Sequence, residues 1–325
     1  MSGWQTNGSG YADLSRANIW SAQLKTVLED ELIGTRYVRM LDGFPDGDTF
    51  NIPSIGQADV SDYAEGQAVK YTAMDTGNYT FSITDYVQSG TYITNKMKQD
   101  SFYYGQLVAD FVPSQSRAIM SAMEESIMKT PTWGAPSGGQ TKDNSNTING
   151  AKHRFIGSGT NETIAIEDFF KAEYALKKAN VPDRNRVAIV DPSVAFTLST
   201  LPNITNMSNN PMWEGIVASG LLSGVNFVRN INGFDVYTTQ RLWVNTASET
   251  IDGVTSSAGV NNLFFCATPD VLPMVGAIRQ APKVDQSYNK DYQRDEYVTT
   301  ARWGFKMFRP ENMVICVTDT DQVYA

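Results

Sequence analysis

His153 is the one histidine in a chain of 325 residues, and no partner group flanks it in sequence. An imidazole acts as a general base or metal ligand only with a second group to orient it or share the charge. Set in a polar stretch, His153 is therefore expected at the surface, with no catalytic part. The two cysteines, Cys266 and Cys316, stand far apart in apolar, strand-like runs. They are expected as buried, reduced thiols, and with one histidine they do not complete a zinc site. Asp319 and Asp321 have a spacing that a calcium ion could use on a strand, but the end of the chain reads as a solvated tail. Glu124 and Glu125 are expected on the polar face of a helix, as a solvated stripe. Neither a Gly-x-Ser-x-Gly elbow nor a phosphate loop occurs, and Gly157-Ser-Gly159 and the run from Gly134 to Gly139 are turn material. The residues offer no catalytic, cofactor or metal site, which places an enzyme last among the readings.

The remaining candidates for chemistry are the cations Arg302, Lys306 and Arg309 in "ARWGFKMFRPENMVICV", residues 301–317. In a strand, Trp303, Phe305 and Met307 share one face, while Arg302, Gly304 and Lys306 share the other. A platform for stacking bases needs its aromatics exposed. Aromatics on one face and cations on the other predict a half-buried sheet strand with a basic outer face, followed by a turn at Pro310 and a last, apolar strand. The charge balance agrees. Lys and Arg number 26 against 35 Asp and Glu, a formal net charge of −9. A generic nucleic-acid binder needs clustered cations to displace counterions, whereas an acidic surface suits a soluble protein crowded beside copies of itself. A hydrophobic content of 41% supports a folded core over most of the chain. No signal peptide and no bilayer-spanning run stands out, so synthesis in the cytoplasm is expected.

The elements that must carry these residues follow from periodicity. The first residues, "MSGWQTNGSGYADL", are loose by composition. Trp20, Leu24, Val27, Leu28 and Leu32 then form one stripe of a helix over Ala17 to Leu32, which Gly34 stops. "RYVRML" and "DTFNIPSIG" read as short strands. From Gln57 to Thr80 the chain is polar, with only isolated apolar residues. That predicts a two-stranded ribbon exposed on both faces, which is marginal alone and whose edges invite pairing. A long helix is expected over 113–129, with Pro113 in its first turn and Ile119, Met123 and Ile127 on its core face beside Met120. Thr130 to Gly150 reads as a surface loop. A second helix spans 167–179, closed by Asn180 and Pro182. "RVAIVDPSVAFTL" predicts a buried strand and then a helix from Pro192. Asn232-Gly233 predicts a tight hairpin needing positive φ at Gly233. The fold class is α+β, without internal repeat or regular βα alternation.

What remains is a large, acidic α+β chain with a loose arm, a protruding ribbon and one long helix. It resembles the major capsid proteins of tailed bacteriophages, the Hong Kong 97-type fold, with a podovirus-like flavour. The likeness lies in "IPSIGQADVSDYAEGQAV", with its acid-Gly pair Glu65-Gly66, and in "FSITDYVQSGTYITNKMKQDS" as the return strand. It continues in "PSQSRAIMSAMEESIMK" as spine helix, in "RVAIVDPSVAFTL" and "GVNFVRNINGFDVYTTQRL", and in the aromatic-Gly step and Arg-Pro-Glu turn of "YVTTARWGFKMFRPENMVICV". The resemblance implies an N-terminal arm (1–45), an extended loop (46–85), a peripheral domain with the spine helix (86–182), an axial domain (183–262) and return strands (263–325). It implies copies of the chain in hexamers and pentamers of an icosahedral shell around double-stranded DNA, which is contacted non-specifically. It also implies a separate scaffolding protein and a portal at one vertex, leaves room for a decoration or cement protein, and calls for no membrane. The location implied is the virion capsid, assembled in the host bacterial cytoplasm. Trp20, Leu24, Glu65, Lys70 and Asp75 are the expected intersubunit contacts. An encapsulin-like compartment shell and a phage tail or decoration protein are the alternative readings.

Overall fold

The structure, a computed structural model, describes residues 33–41, 49–55, 62, 65, 66, 68, 76–100, 104–131, 145–200, 230–245, 248–256 and 259–319. The helix expected over Ala17 to Leu32, most of the loop after Pro131 and most of the ribbon expected over Gln57 to Thr80 lie outside these residues.

A 3-10 turn, Gly34–Tyr37, runs into β1 (Val38–Met40). The strands β2 (Thr49–Ile55) and β3 (Thr76–Ser82) form a ribbon of their own, and β4 (Asp85–Thr94) leads to α1 (Asn95–Asp100) and α2 (Tyr104–Lys129). Short strands β5 (Thr147–Ile148), β6 (Ala151–Lys152) and β7 (Arg154–Ile156) precede α3 (Ile166–Lys178). Then come β8 (Arg186–Val190), α4 (Pro192–Thr200), β9 (Asn230–Ile231), β10 (Phe234–Thr238), β11 (Glu249–Ile251) and β12 (Val254–Ser256). The chain closes with β13 (Gly259–Cys266), β14 (Met274–Asn289), β15 (Arg294–Met307) and β16 (Val314–Asp319).

Two sheets carry the fold. One has the order β1-β14-β15-β4, the other β7-β16-β13-β8-β10-β9. In the second, β8, β13 and β16 are buried along nearly their whole length because both faces are covered. Alternate residues go to opposite sides. Val187, Ile189, Leu263, Phe265, Ile315 and Val317 enter the core shared with α2 and the first sheet. Ala188, Val190, Phe264, Val314 and Cys316 enter the core beneath α3 and α4. There Phe169, Phe234 and Phe264 meet edge to face, with centroids 5.2 to 6.2 Å apart. Each buried side chain of this size stabilises by about 1.5–3 kcal/mol, and each aromatic pair by about 0.5–1.5 kcal/mol more.

On α2, Ile119, Met123 and Ile127 face the core as the periodicity predicts, joined by Met128, while Met120 is exposed. The start of the helix differs from the expected one. It begins at Tyr104, so Pro113 falls well inside it rather than in its first turn. The proline cannot donate to the carbonyl four residues back, and the helix continues through that lost bond because its C-terminal half is clamped between the sheets. The expected loop also differs over its last residues: Thr147–Ile148 and Ala151–Lys152 pair across a turn at Asn149-Gly150. The hairpin at Asn232-Gly233 is as expected, with φ of 49° and 79°. A Cβ at Gly233 would touch nothing within 4 Å, so the glycine answers to backbone conformation alone.

Candidate assembly surface

β2 and β3 pair antiparallel from Thr49–Ser82 to Ile55–Thr76 and, among the described residues, join no larger sheet. A ribbon of that kind needs an external anchor. Its root supplies one. Phe81 and Ile83 are buried with Ala277, and Tyr79 packs against them. The Tyr79 hydroxyl donates to the Met307 carbonyl at 2.7 Å, and its ring meets Phe308 edge-on at 5.1 Å. Burial pushes the Tyr79 phenol up to about 12, so it remains a protonated donor. The Lys306 ammonium donates to the Thr80 carbonyl at 2.7 Å and lies 4.8 Å over the Tyr79 ring. At Gly304 the ribbon approaches so closely that a Cβ would lie 2.8 Å from the Ser82 carbonyl oxygen and 2.9 Å from the Ile83 Cα.

The cations singled out in the sequence are thus placed. β15 is a half-buried strand: Trp303 and Met307 are buried, Phe305 partly so, and Lys306 is exposed. Its basic outer face holds the ribbon root. Arg302 stands opposite Tyr86 on β4, and the Arg309 guanidinium lies 5.7 Å over Phe308. Farther along the same face Arg294 stacks between Tyr92 and Tyr292 at 4.5 and 4.8 Å and pairs with Glu296. Sequence reasoning missed Tyr79, Phe81 and Gly304 as anchor residues. Their alternation on β3 and the glycine in an aromatic strand were the available signals, but the contact joins residues more than 200 positions apart.

Glu124 corrects a second expectation. It is fully buried, not part of a solvated stripe. Its carboxylate accepts from the backbone N–H of Ile33 at 2.9 Å and of Gly34 at 2.6 Å. These charge-assisted bonds offset its desolvation. Gly34 opens a 3-10 turn, and a Cβ there would lie 2.8 Å from the Glu124 carboxylate. Where the N-terminal segment meets the body, it is therefore fixed to α2. Glu125 is exposed and pairs with Arg241 at 2.8 Å. Of the expected contact residues, Glu65 is exposed in a turn, with Gly66 at φ 83°. Trp20, Leu24, Lys70 and Asp75 lie outside the described residues.

His153 is buried rather than at the surface. It lies between β6 and β7, where its carbonyl accepts from the Ile315 N–H and its Nδ1 lies 3.1 Å from the Ala151 carbonyl. Pairing of β7 with β16 drew it in, against its polar sequence context. Desolvation lowers its pKa from the usual 6.5. The folded chain therefore holds this proton less tightly than the unfolded chain does. Acidification through 6.5 should favour unfolding by up to about 1.4 kcal/mol per pH unit. A His153→Leu variant should lose part of the decline in melting temperature between neutral and mildly acidic buffer. Parallel pH profiles for variant and parent would refute this.

Cys266 and Cys316 are buried free thiols, as expected, and burial pushes Cys316 well above its ordinary pKa. Among the described residues no group of His, Cys, Asp or Glu could hold a metal ion, and no helix is long and apolar enough to cross a membrane.

The family described as phage capsid protein matches residues 78–316. A structure from Mycobacterium phage Che8 is similar, with a TM-score of 0.67 at 16% identity, over 93% of this chain and 96% of that one. The capsid of cyanophage P-SCSP1u gives 0.69 at 14% identity, over 96% and 95%. The capsid of cyanophage Pam1 gives 0.66 at 12% identity, over 98% and 100%. No curated protein sequence matches. At these identities the likeness is one of fold.

Proposed function

This chain belongs to the phage capsid protein family, and from that premise we propose how its surface builds a shell. It is a structural protein, the major capsid subunit of a tailed-phage head with an icosahedral shell. In the proposal, residues 1–45 are an arm, 46–85 an extended loop, 86–182 a peripheral domain around α2, 183–262 an axial domain, and 263–325 the return strands. Copies assemble as hexamers and pentamers in the host cytoplasm with a separate scaffolding protein and a portal, and enclose double-stranded DNA.

The observation that carries this reading is the ribbon. Among the described residues β2 and β3 pair only with each other, yet their root is bound firmly to β15 by Tyr79, Phe81 and Lys306. A rigid root and a polar reach fit an element that lies on a neighbouring subunit. Glu65, Lys70 and Asp75 are then its ion-pairing groups, with Trp20 and Leu24 contributing from the arm. One exposed pair contributes about 0–1 kcal/mol, but the contact repeats at every subunit and the sum holds the shell.

Amide hydrogen exchange over residues 57–75 should show fast exchange in free subunits and protection in shells. Glu65→Lys and Lys70→Glu, made singly, should raise the concentration needed for assembly more than they lower the melting temperature, and salt should shift that threshold. Equal protection in both states would mean that the ribbon packs on its own body, and this assembly role would be lost. Nucleic acid and a portal in the particles, against an enzyme cargo, separates a phage head from a compartment shell.

A further inference from the structure

Among the described residues three hairpin turns place an amide or carboxylate side chain directly before a glycine, with both residues at positive φ. They are Asn149-Gly150 (51° and 78°), Asn232-Gly233 (49° and 79°) and Asp252-Gly253 (54° and 82°). This dipeptide has a chemistry of its own, because a glycine without Cβ leaves its backbone nitrogen free to reach the preceding Cγ. We propose that Asn149 is a site of spontaneous modification, losing its side-chain amide through a cyclic imide, and that Asn232 is protected in the same dipeptide by its surroundings.

The step balances. The Gly150 nitrogen gives up its proton and bonds to the Asn149 Cγ, while the Cγ–Nδ2 bond breaks and ammonia leaves. Water then opens the five-membered imide at either carbonyl, giving aspartate or its iso form, in which the main chain runs through the side-chain carbon. Ring closure requires Asn149 to leave its turn conformation, so the rate follows how often the turn opens.

The two asparagines differ in that respect. β5 and β6 are two-residue strands that, among the described residues, pair only with each other. Asn149 and Gly150 are exposed, and the Asn149 amide makes one long bond, 3.3 Å, to the Lys178 carbonyl. Asn232 is half-buried, and its amide donates to Glu173 Oε2 at 2.7 Å. Glu173 is itself held by Lys177 and Arg186. The strand after that turn begins at Phe234, fully buried and packed on Phe169 and Phe264 within the six-stranded sheet. Asp252 carries an ionised carboxylate, a poor electrophile, paired with Lys152.

The consequence is local. The Asn149 amide satisfies the carbonyl of the last residue of α3, a group left without an intrahelical partner. A carboxylate cannot donate to that carbonyl, and its charge would stand at the negative end of the helix. The iso form also adds a backbone atom to a two-residue turn. Subunits would thus drift with time into a population carrying one more negative charge and a loosened β5–β6 hairpin.

The test holds the folded full-length chain in mildly alkaline buffer beside a guanidinium-unfolded sample, and follows the peptides by mass. In the unfolded chain the Asn149-Gly150 and Asn232-Gly233 peptides should gain a single mass unit at similar rates. In the folded chain the Asn149 peptide should convert roughly tenfold faster than the Asn232 peptide or more, with normal and iso forms separated by chromatography. The proposal fails if Asn232 converts as fast as Asn149. It fails equally if the folded Asn149 peptide stays unchanged over the time in which the unfolded one converts.

Discussion

Glu249→Ala should destabilise the free subunit by about 3–5 kcal/mol. Arg154 on β7 is fully buried, and its Nη2 donates to Glu249 Oε1 at 2.5 Å and to Asn261 Oδ1 at 3.1 Å. Among the described residues its Nε and Nη1 have no hydrogen-bond partner, and Glu249 is the countercharge that it bonds. Asn245 donates to the same carboxylate oxygen at 2.7 Å, and Asn261 in turn donates to Asn245 at 3.0 Å. Burial raises the Glu249 pKa, opposed by Arg154 and Asn245. A guanidinium does not shed its proton at accessible pH. Removing the carboxylate therefore leaves a buried charge facing amides alone. The β11–β12 hairpin, which among the described residues pairs with no other strand, loses its tie to β7. Glu249→Gln keeps an acceptor and should lose less. The double change Arg154→Met with Glu249→Leu should recover most of the loss, since removing both charges removes the desolvation cost. Urea midpoints of the single and double variants measure this. An alanine variant within about 1 kcal/mol of the parent would contradict the role given to the pair.

Gly304→Ala should detach the ribbon while the body stays folded. Gly304 is not among the residues at positive φ, so alanine meets no backbone strain and the test is purely steric. Its Cβ would fall 2.8 Å from the Ser82 carbonyl oxygen and 2.9 Å from the Ile83 Cα, and neither backbone atom can rotate away. Overpacking of this kind costs about 1–3 kcal/mol, and the relief available is for residues 79–83 to lift off β15. That motion would break the Tyr79–Met307 and Lys306–Thr80 bonds and expose Phe81. Exchange protection at Phe81 to Ile83 should drop sharply, shells should fail to close, and the α3–α4 core should keep its protection. Gly304→Val should be more severe. Normal shells with unchanged protection at Phe81 would mean that the close approach does not hold the ribbon.

The long, regular elements were legible because their signals are local. The stripe Ile119, Met123, Ile127 announces α2, and the apolar runs at 186–190 and 314–319 announce buried strands. Asn232-Gly233 announces a hairpin because few residues tolerate that backbone. The alternation from Arg302 to Met307 separated a sheet strand from a base reader. Failures came where partners are remote. The neighbour Glu125 suggests a solvated Glu124, yet two backbone amides about 90 positions away draw it into the core. The polar context of His153 suggests the surface, yet pairing of β7 with β16 buries it. Pro113 suggests a helix start because the rule is local, whereas the helix is held by what it packs against.

By itself the sequence determined the α+β class, the order of the elements, the absence of a local catalytic motif and the kinship with phage capsid subunits. The first three rest on spacing along the chain, in the 3.6 and 2.0 periods and the turn dipeptides, and the kinship rests on a resemblance of motifs in their succession. The tertiary structure alone decided which polar groups are buried and which of them face one another. Arg154 with Glu249, Glu124 with Gly34, and Lys306 with Thr80 are pairings of that kind. The physical reason is that burying a polar group is costly unless a partner is in place. The partner comes from a distant part of the chain, so no local pattern of residue types encodes it.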